Sequence, residues 1–189
     1  MRIISGLFKG KKLFEPRDKN TRPLKDLTKE SIFNIILHSN KFKLNLENSL
    51  ILDLFSGVGS FGIECLSRGV KRVIFVENYN SVLKILKKNL NNLECINNFE
   101  IIEHNIYSDE LFYELKYKFD LIFLDPPYKD KNIKNILMKI KTKKILNKNG
   151  IIILHRHKNA ADIFPEEFKV LEEKKYGISK IIFLKQLNE

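Results

Sequence analysis

Residues 53–62 have the sequence DLFSGVGSFG, and this stretch decides which fold the chain can adopt. It overlaps the end of a short apolar run, residues 50–55, and leads into an amphipathic segment, residues 60–68, which ends at Gly69. A strand, a glycine-rich turn and a helix in this order form the first half of a β-α-β unit. The segments on the carboxyl-terminal side continue the same alternation.

Short apolar runs and amphipathic segments alternate from residue 49 onward. Strands are predicted at residues 50–55, 72–77, 100–103, 121–124 and 151–154, and helices at residues 60–68, 81–93, 108–116 and 132–145. This alternation predicts an α/β domain with right-handed crossovers and a parallel sheet. Two later runs, residues 168–173 and 180–184, flank the turn signal Tyr176-Gly177 and are predicted to form an antiparallel pair at the sheet edge.

The glycine-rich turn has the pattern of a nucleoside-cofactor loop. Gly57, Gly59 and Gly62 fit GxGxxG, and Glu77 ends the second predicted strand. Glycines let the backbone approach a ligand, the helix N-terminus offers free N–H groups, and a carboxylate one strand away can accept ribose hydroxyl protons. NAD, FAD and an ordinary tight turn all remain compatible with this pattern. Asp53 favours S-adenosylmethionine, which carries an ammonium group and no phosphate. The residues predicted to bind the cofactor here are Asp53, Phe55, Ser56, Gly57, Gly59, Glu77 and Asn78.

A second motif, Asp125-Pro126-Pro127-Tyr128, follows the predicted strand at residues 121–124. Paired prolines cannot extend a sheet, so the chain leaves it at the carboxyl end of the strand, where ligands bind in open α/β sheets. The Asp125 carboxylate and the Pro126 carbonyl can hold the two N–H groups of an exocyclic amine on a planar base, and Tyr128 can stack on that base. These four residues are the predicted catalytic residues. The structural alternative is a proline turn capped by an aspartate.

Basic residues concentrate near the amino terminus. The chain has 189 residues and a net charge of +11, and residues 1–43 contain 11 basic against 4 acidic residues. Localised positive charge is what a phosphate backbone attracts, although a solvated lysine-rich surface gives the same composition. The predicted organisation is a basic hairpin and helix extension at residues 1–43 and a catalytic domain at residues 44–189. In the extension, residues 2–14 are predicted to form the hairpin and residues 24–37 the helix. The apolar face of this helix is predicted to contain Leu24, Leu27, Ile32, Ile35 and Ile36. The candidate contacts to nucleic acid are Arg2, Lys9, Lys11, Lys12, Arg17, Lys19, Arg22 and Lys25.

Several other classes of protein are disfavoured by the sequence. The longest apolar runs are too short to span a bilayer, and the amino terminus has no extended apolar stretch typical of a secretion signal. Cys65 and Cys95 lack CxxC spacing, and the four histidines lack metal-ligand spacing. We therefore expect a soluble cytoplasmic protein that binds neither metal nor membrane.

Together these motifs resemble the bacterial small-subunit ribosomal RNA guanine-N2 methyltransferases of the RsmD type. The resemblance covers nearly the whole chain. It is carried by residues 1–13, by Arg22-Pro23 with the helix that follows, by residues 53–69, and by the Asp-Pro-Pro-Tyr tetrad. The tetrad is shared with many DNA and RNA amino-methyltransferases, whereas the amino-terminal segments narrow the choice. The sequence departs from the family pattern at Leu24, Lys25, Leu27 and Lys29, and at His155, where glutamate is usual.

The resemblance implies a class I, Rossmann-like methyltransferase with a seven-stranded, mostly parallel sheet. It implies S-adenosyl-L-methionine as the cofactor, Glu77 at its ribose and Asn105 near its adenine. The implied reaction is methylation of a guanine N2 amine of 16S rRNA during small-subunit assembly, with naked rRNA or the small-subunit particle as partner, and we expect a monomer.

Two alternatives remain open at the level of sequence. A DNA adenine-N6 methyltransferase uses the same tetrad, although 189 residues leave no obvious segment for a separate sequence-reading domain. A non-catalytic RNA-binding assembly protein is the other, and the intact glycine loop, Glu77 and tetrad argue against it.

Overall fold

A computed structural model describes residues 1–16, 24–94 and 96–187 of the chain. Its strands are β1 (Leu50–Leu54), β2 (Arg72–Val76), β3 (Phe99–Ile102), β4 (Phe119–Leu124), β5 (Leu146–His157), β6 (Phe168–Tyr176) and β7 (Ser179–Gln186). Its α-helices are α1 (Asp26–His38), α2 (Ser60–Ser67), α3 (Asn80–Asn91), α4 (Asp109–Glu114) and α5 (Ile133–Thr142), and a 3₁₀ turn covers Leu46–Asn48. None of the helices in these three ranges is both long and apolar enough to cross a membrane.

All seven strands form one sheet in the order β3-β2-β1-β4-β5-β7-β6. Strands β1 to β5 run parallel to their neighbours, and β7 lies antiparallel between β5 and β6. The predicted seven-stranded, mostly parallel sheet with an antiparallel edge is therefore confirmed. The strand order reverses between β1 and β4, and a crevice opens at the carboxyl ends of the strands at such a point.

Helices cover both faces of the central strands, and this explains why β1 and β4 have nearly continuous apolar sequences. On one face the Phe61 ring of α2 stacks on Phe123 of β4, with ring centroids 3.9 Å apart. On the other face Leu52 and Ile122 belong to a second cluster that also includes Ile136 of α5. The core is therefore two apolar layers separated by the sheet.

The amino-terminal segment packs against α2. Its two arms form the predicted antiparallel hairpin, with a bridge between Arg2 and Lys12 and backbone hydrogen bonds from Ile3 N to the Lys11 carbonyl at 3.0 Å and from Leu13 N to the Met1 carbonyl at 3.2 Å. The turn of the hairpin also contacts the end of α2, where Leu7 N donates to Ser67 O at 2.7 Å. Gly6 is required at this contact, because a Cβ there would lie 1.8 Å from the Ser67 oxygen. Helix α2 is consequently buried along its whole length, between the sheet and this segment.

A buried ionic network joins the amino-terminal segment to α2. Glu64 is fully buried, and its carboxylate accepts hydrogen bonds from Ile4 N at 2.7 Å, Ser5 N at 3.0 Å and Arg68 Nε at 2.9 Å. Lys29 of α1 lies 3.6 Å from the same carboxylate and donates to the Arg2 carbonyl at 2.7 Å. Burial lowers the pKa of Lys29, and the charge of Glu64 opposes this shift. One carboxylate therefore holds the extension, α1 and α2 together.

Lys29 also corrects the expected inner face of α1. The sequence pattern placed Leu27 on the apolar face of this helix, but its side chain is 77% exposed, whereas Lys29 is fully buried. Lys29 can take the interior position because the Glu64 carboxylate balances its charge and the Arg2 carbonyl accepts a hydrogen bond from its ammonium group.

Asn89 connects the end of the extension to the glycine loop. Its side-chain amide donates to the Phe14 carbonyl at 3.1 Å and to the Val58 carbonyl at 3.0 Å, and its oxygen accepts from Phe14 N at 2.7 Å. The predicted boundary near residue 43, between the extension and the catalytic domain, stays a prediction. The contacts of the extension show only that it shares a core with the sheet.

Replacing Glu64 should destabilise the protein strongly. Glu64→Ala leaves the Lys29 and Arg68 cations and two backbone N–H groups without their acceptor, so we expect the free energy of unfolding to fall by about 3–5 kcal/mol. Urea unfolding followed by circular dichroism measures this change. Glu103→Ala, which removes an exposed ion pair with Lys87, is the matched control and should cost less than about 1 kcal/mol. Equal losses in the two variants would contradict the assigned role of Glu64.

Candidate active site

The glycine loop and the tetrad meet at one edge of the sheet. In the parallel pairing of β1 with β4, Asp53 lies opposite Phe123 and Leu54 opposite Leu124. Both strands end at this level, and Asp125 N donates to the Leu54 carbonyl at 3.4 Å. Two motifs that are separated by more than 60 residues in the sequence therefore border the same crevice.

A cavity of about 490 Å³ opens between the two motifs. This volume lies within the roughly 300–1,000 Å³ that small-molecule sites occupy. The predicted residues that line it are Asp53, Phe55, Ser56, Gly57, Glu77, Asn78, Asp125, Pro126, Pro127 and Tyr128. Residues that were not predicted also line it: Leu24, Val58, Ser60, Phe61, Tyr79, Val82, Tyr107 and Phe123. Gly59 and Asn105 are the two predicted cofactor residues that are not part of the lining.

The three motif glycines have different physical roles. Gly57 and Gly59 have φ angles of 55° and 85°, in the left-handed region that favours glycine, and Gly59 is the N-cap of α2. Gly62 lies inside the helix, where a Cβ would be 2.3 Å from the Phe75 ring and 2.9 Å from Asp53 Oδ2. The pattern thus serves two ends, because it shapes the loop and lets α2 approach the sheet closely.

Asp53 is a buried carboxyl at the base of the cavity. It is 1% exposed, and its Oδ2 accepts a hydrogen bond from Gly62 N at 3.0 Å. Burial raises its pKa well above the ordinary value, and the nearby charges of Asp125 and Glu77 act in the same direction. Three carboxyl groups around one cavity repel each other, and a cationic ligand relieves that repulsion.

Glu77 fastens the glycine loop to the end of β2. Its Oε2 accepts from Gly57 N at 2.9 Å, and its Oε1 accepts from Asn78 N at 2.9 Å and Tyr79 N at 3.0 Å. Each carboxylate oxygen has two lone pairs, so Oε1 is saturated by its two bonds and Oε2 keeps one site that can accept a hydrogen bond from a ribose hydroxyl. The ribose role stays a prediction, and the structure adds a second function for the same side chain.

On the loop after β3, Tyr107 faces the cavity and Asn105 does not. Asn105 is exposed, and its Oδ1 accepts from Tyr107 N at 3.0 Å. The Tyr107 ring lies edge-on to Phe55, with centroids 5.8 Å apart, and its hydroxyl bonds to Asp130. Burial and the Asp130 carboxylate raise the pKa of Tyr107. The turn formed by Asn105 produces this arrangement, and no sequence signal pointed to Tyr107.

The tetrad contacts the end of β5. His155 Nδ1 lies 2.8 Å from Asp125 Oδ1, and because an ionised carboxylate only accepts, Nδ1 is the protonated nitrogen of that contact. The Tyr128 ring lies edge-on to His155 and His157, with centroid distances of 6.2 Å and 5.0 Å. His155 is 3% exposed. The sequence assigned it no role, and only the pairing of β4 with β5 brings it to Asp125.

The predicted nucleic-acid contacts lie in part within the described residues. Arg2, Lys9 and Lys12 are exposed, and the Arg2 side chain lies 3.9 Å from Asp26. The Lys11 ammonium donates to the Asn92 carbonyl, so it already has a partner within the protein. The other predicted contacts named earlier include Arg17, Lys19 and Arg22, which lie outside the described residues, and the exposed Lys25. Leu24, the residue before Lys25, lines the cavity.

The fold and site define the class of the protein. The Escherichia coli protein YhhF, at 22% identity, superposes with a TM-score of 0.83 over 100% of this chain and 99% of its own, and this likeness shows the fold. The Haemophilus influenzae protein HI0767, at 32% identity, superposes with a TM-score of 0.75 over 99% of this chain and 98% of its own. This is the class I fold of S-adenosylmethionine-dependent methyltransferases.

Residues 1–185 match the model of the family described as Conserved hypothetical protein 95, and the chain belongs to this family. A relative named Ribosomal RNA small subunit methyltransferase D from Haemophilus influenzae is 34% identical, with 94% of this chain and 90% of the relative covered. A relative of the same name from Buchnera aphidicola subsp. Acyrthosiphon pisum is 32% identical, with 91% and 86% covered. The resemblance to the RsmD type is confirmed, and with it methyltransferase activity and S-adenosyl-L-methionine as the cofactor.

The cavity fits that cofactor on physical grounds. S-adenosylmethionine carries a sulfonium and an ammonium, and the carboxyl groups of Asp53, Glu77 and Asp125 line the cavity, where a bound cation favours their charged forms. A pyrophosphate would be repelled by the same three groups. The acidic lining therefore favours the sulfonium cofactor over NAD or FAD.

Removing the Glu77 carboxylate should weaken cofactor binding. Glu77→Ala takes away both the proposed ribose acceptor and the anchor of the glycine loop, so we expect a loss of about 1–3 kcal/mol in the binding free energy of S-adenosylmethionine. Isothermal titration calorimetry measures it. Glu114→Ala, an exposed position on α4 outside this cavity, is the control and should bind like the unmodified protein. An unchanged affinity in Glu77→Ala would rule out its part in the site.

Proposed function

We propose that the protein transfers a methyl group from S-adenosylmethionine to the N2 amine of a guanine in 16S rRNA, during assembly of the small ribosomal subunit in the cytoplasm. The observation that carries this proposal is the position of Asp125-Pro126-Pro127-Tyr128, which lines the same cavity as the glycine loop and Glu77. The names of the relatives, Ribosomal RNA small subunit methyltransferase D, support an rRNA substrate.

The chemistry follows from the weakness of the nucleophile. When bound, the cofactor would supply an electrophilic methyl group on a sulfonium, whose S–CH3 bond breaks as the new N–CH3 bond forms, with S-adenosylhomocysteine as the leaving group. An exocyclic guanine amine has its lone pair delocalised into the ring, so the protein must orient that lone pair. The Asp125 carboxylate and the Pro126 carbonyl accept the two N–H groups of the amine and fix its direction. No strong general base is needed, because the proton leaves after the nitrogen has become cationic.

The surroundings of Asp125 support its role as a fixed acceptor. Pro126 is buried, and the ring of Pro127 fixes its φ angle, so the backbone is rigid at this point. The hydrogen bond from His155 Nδ1 holds one carboxylate oxygen and thereby sets the rotation of the group. Tyr128 then provides a ring on which the target base can stack, as flipped bases do on aromatic side chains.

The amino-terminal extension supplies the electrostatic part of RNA binding in this proposal. Its exposed basic residues Arg2, Lys9 and Lys12 can contact phosphate groups and contribute an affinity that falls with salt concentration. Glu64 of α2 binds the first arm of this extension at Ile4, and Asn89 of α3 binds the second arm at Phe14. Both helices lie beside the glycine loop. A bound RNA therefore lies close to the cavity mouth.

Removing the Asp125 carboxylate should abolish turnover and leave cofactor binding nearly intact. Asp125→Ala loses an acceptor that acts on the target amine, so we expect less than about one hundredth of the turnover rate. Single-turnover methylation and calorimetry measure the two effects separately. Asp109→Ala, an exposed aspartate on α4, is the matched control. Retained turnover in Asp125→Ala would end the assignment of the tetrad.

Mapping the product identifies the substrate. Purified protein with labelled S-adenosylmethionine is offered naked 16S rRNA, small-subunit particles and duplex DNA, each lacking the modification. We expect one N2-methylguanine, detected by mass spectrometry, in the rRNA or the particle. Methylation of adenine N6 in the duplex would favour the DNA methyltransferase alternative. Absence of cofactor binding in calorimetry would favour the non-catalytic RNA-binding alternative.

A further inference from the structure

Arg156 and Asp162 form a buried ion pair behind the tetrad. Their side chains are 3% and 7% exposed. Arg156 Nε lies 3.1 Å and 3.0 Å from the two carboxylate oxygens of Asp162, and Nη2 lies 2.9 Å from Oδ1. A guanidinium held in this way cannot rotate, so its remaining N–H groups point in fixed directions.

Those remaining N–H groups bind the backbone of the loop that contains Tyr128. Nη1 donates to the Pro127 carbonyl at 3.0 Å, and Nη2 donates to the Asp130 carbonyl at 2.6 Å. The two carbonyls lie on either side of Tyr128 in the sequence. Pro126 and Pro127 have no backbone N–H to donate, so the guanidinium supplies directional bonds to a segment that has few of its own.

The neighbouring residue of β5 holds the other end of the tetrad. His155 binds the Asp125 carboxylate, and Arg156 binds the loop after Pro127. Consecutive side chains leave a strand on opposite sides, so two adjacent residues can bind two different parts of the tetrad. The end of β5 thus acts as the support on which the whole tetrad rests.

We propose that Arg156, oriented by Asp162, is a positioning residue for methyl transfer. It keeps the Pro127–Asp130 backbone in place, so that the Tyr128 ring stands at the correct angle for the target base. This inference rests on the proposed function of the tetrad. The glycine loop is held separately by Glu77, and therefore Arg156 affects the chemical step and leaves cofactor binding unchanged.

The geometry requires arginine rather than lysine. The planar guanidinium makes bonds to a carboxylate and to two carbonyl oxygens at the same time, whereas an ammonium is a point charge that cannot span these three partners. Arg156→Lys keeps the positive charge beside Asp162 and loses the hold on the loop. Small displacements of a reacting group are costly, and about 1 Å can reduce the rate by roughly 100-fold.

The test compares Arg156→Lys with Arg72→Lys, a control on β2 whose guanidinium lies 3.3 Å from Glu100, away from the tetrad. With the full chain and its RNA substrate, we expect kcat to fall roughly 10- to 100-fold in Arg156→Lys. The KM for S-adenosylmethionine and its calorimetric Kd should both stay within about two-fold, since the glycine loop is untouched. Arg72→Lys should show no change in kcat.

Three outcomes would overturn the inference. One is an unchanged kcat in Arg156→Lys while Asp125→Ala is inactive, and this result would leave the proposed function intact. A second is a parallel loss of cofactor affinity, which would indicate a general structural role. If Arg156→Lys does not fold, Asp162→Asn replaces it, because Arg156 then keeps its carbonyl partners but loses its charged support. We expect Asp162→Asn to lower kcat several-fold. An unchanged kcat in Asp162→Asn is the third outcome that would overturn the inference.

Discussion

The parallel pairing of β1 with β4 is the constraint on which the rest of the site depends. Connections run outward from this pair in both directions, because β2 and β3 lie on one side and β5, β7 and β6 on the other. The chain segments that leave the two strands therefore diverge and open a crevice at their carboxyl ends. The glycine loop enters the crevice from β1, and the tetrad enters it from β4. In the proposed function, the cofactor and the target base meet at this crevice because these two strands are neighbours.

Each carboxyl group in the crevice has a different partner, and this keeps three acids tolerable in one place. Asp53 accepts from a helix N–H, Glu77 from three loop N–H groups, and Asp125 from an imidazole. Buried charges persist in proteins when they are hydrogen-bonded or paired. The elements that position these groups differ as well, because the glycine loop is held by contacts with the end of β2 and with α2, whereas the tetrad is held by β5. In the proposed function, cofactor binding and the chemical step therefore depend on separate parts of one sheet.

Most elements were predictable because their sequence signals are local. Apolar runs marked all seven strands, and Gly57, Gly59 and Gly62 marked the loop between β1 and α2. The errors occurred where a distant partner changes what a side chain can do. Lys29 replaces Leu27 on the inner face of α1 because Glu64 neutralises it. The amino-terminal hairpin was predictable, because its two arms are joined by hydrogen bonds between residues close in sequence, such as Ile3 N to the Lys11 carbonyl.

By itself the sequence determined the order of strands and helices, the cofactor loop and the tetrad, since these depend on neighbours within a few residues. It could not show that Tyr107 rather than Asn105 lines the cavity, or that His155 and Arg156 hold the tetrad. Those contacts join segments that lie about 20 to 30 residues apart, and a polar side chain has no periodic pattern that reveals its partner. Only the packing of β5 against β4 brings His155 and Arg156 to the tetrad, and Tyr107 is placed by the turn at Asn105 and by its contact with Asp130, because hydrogen bonds act over about 3 Å and therefore require the finished fold.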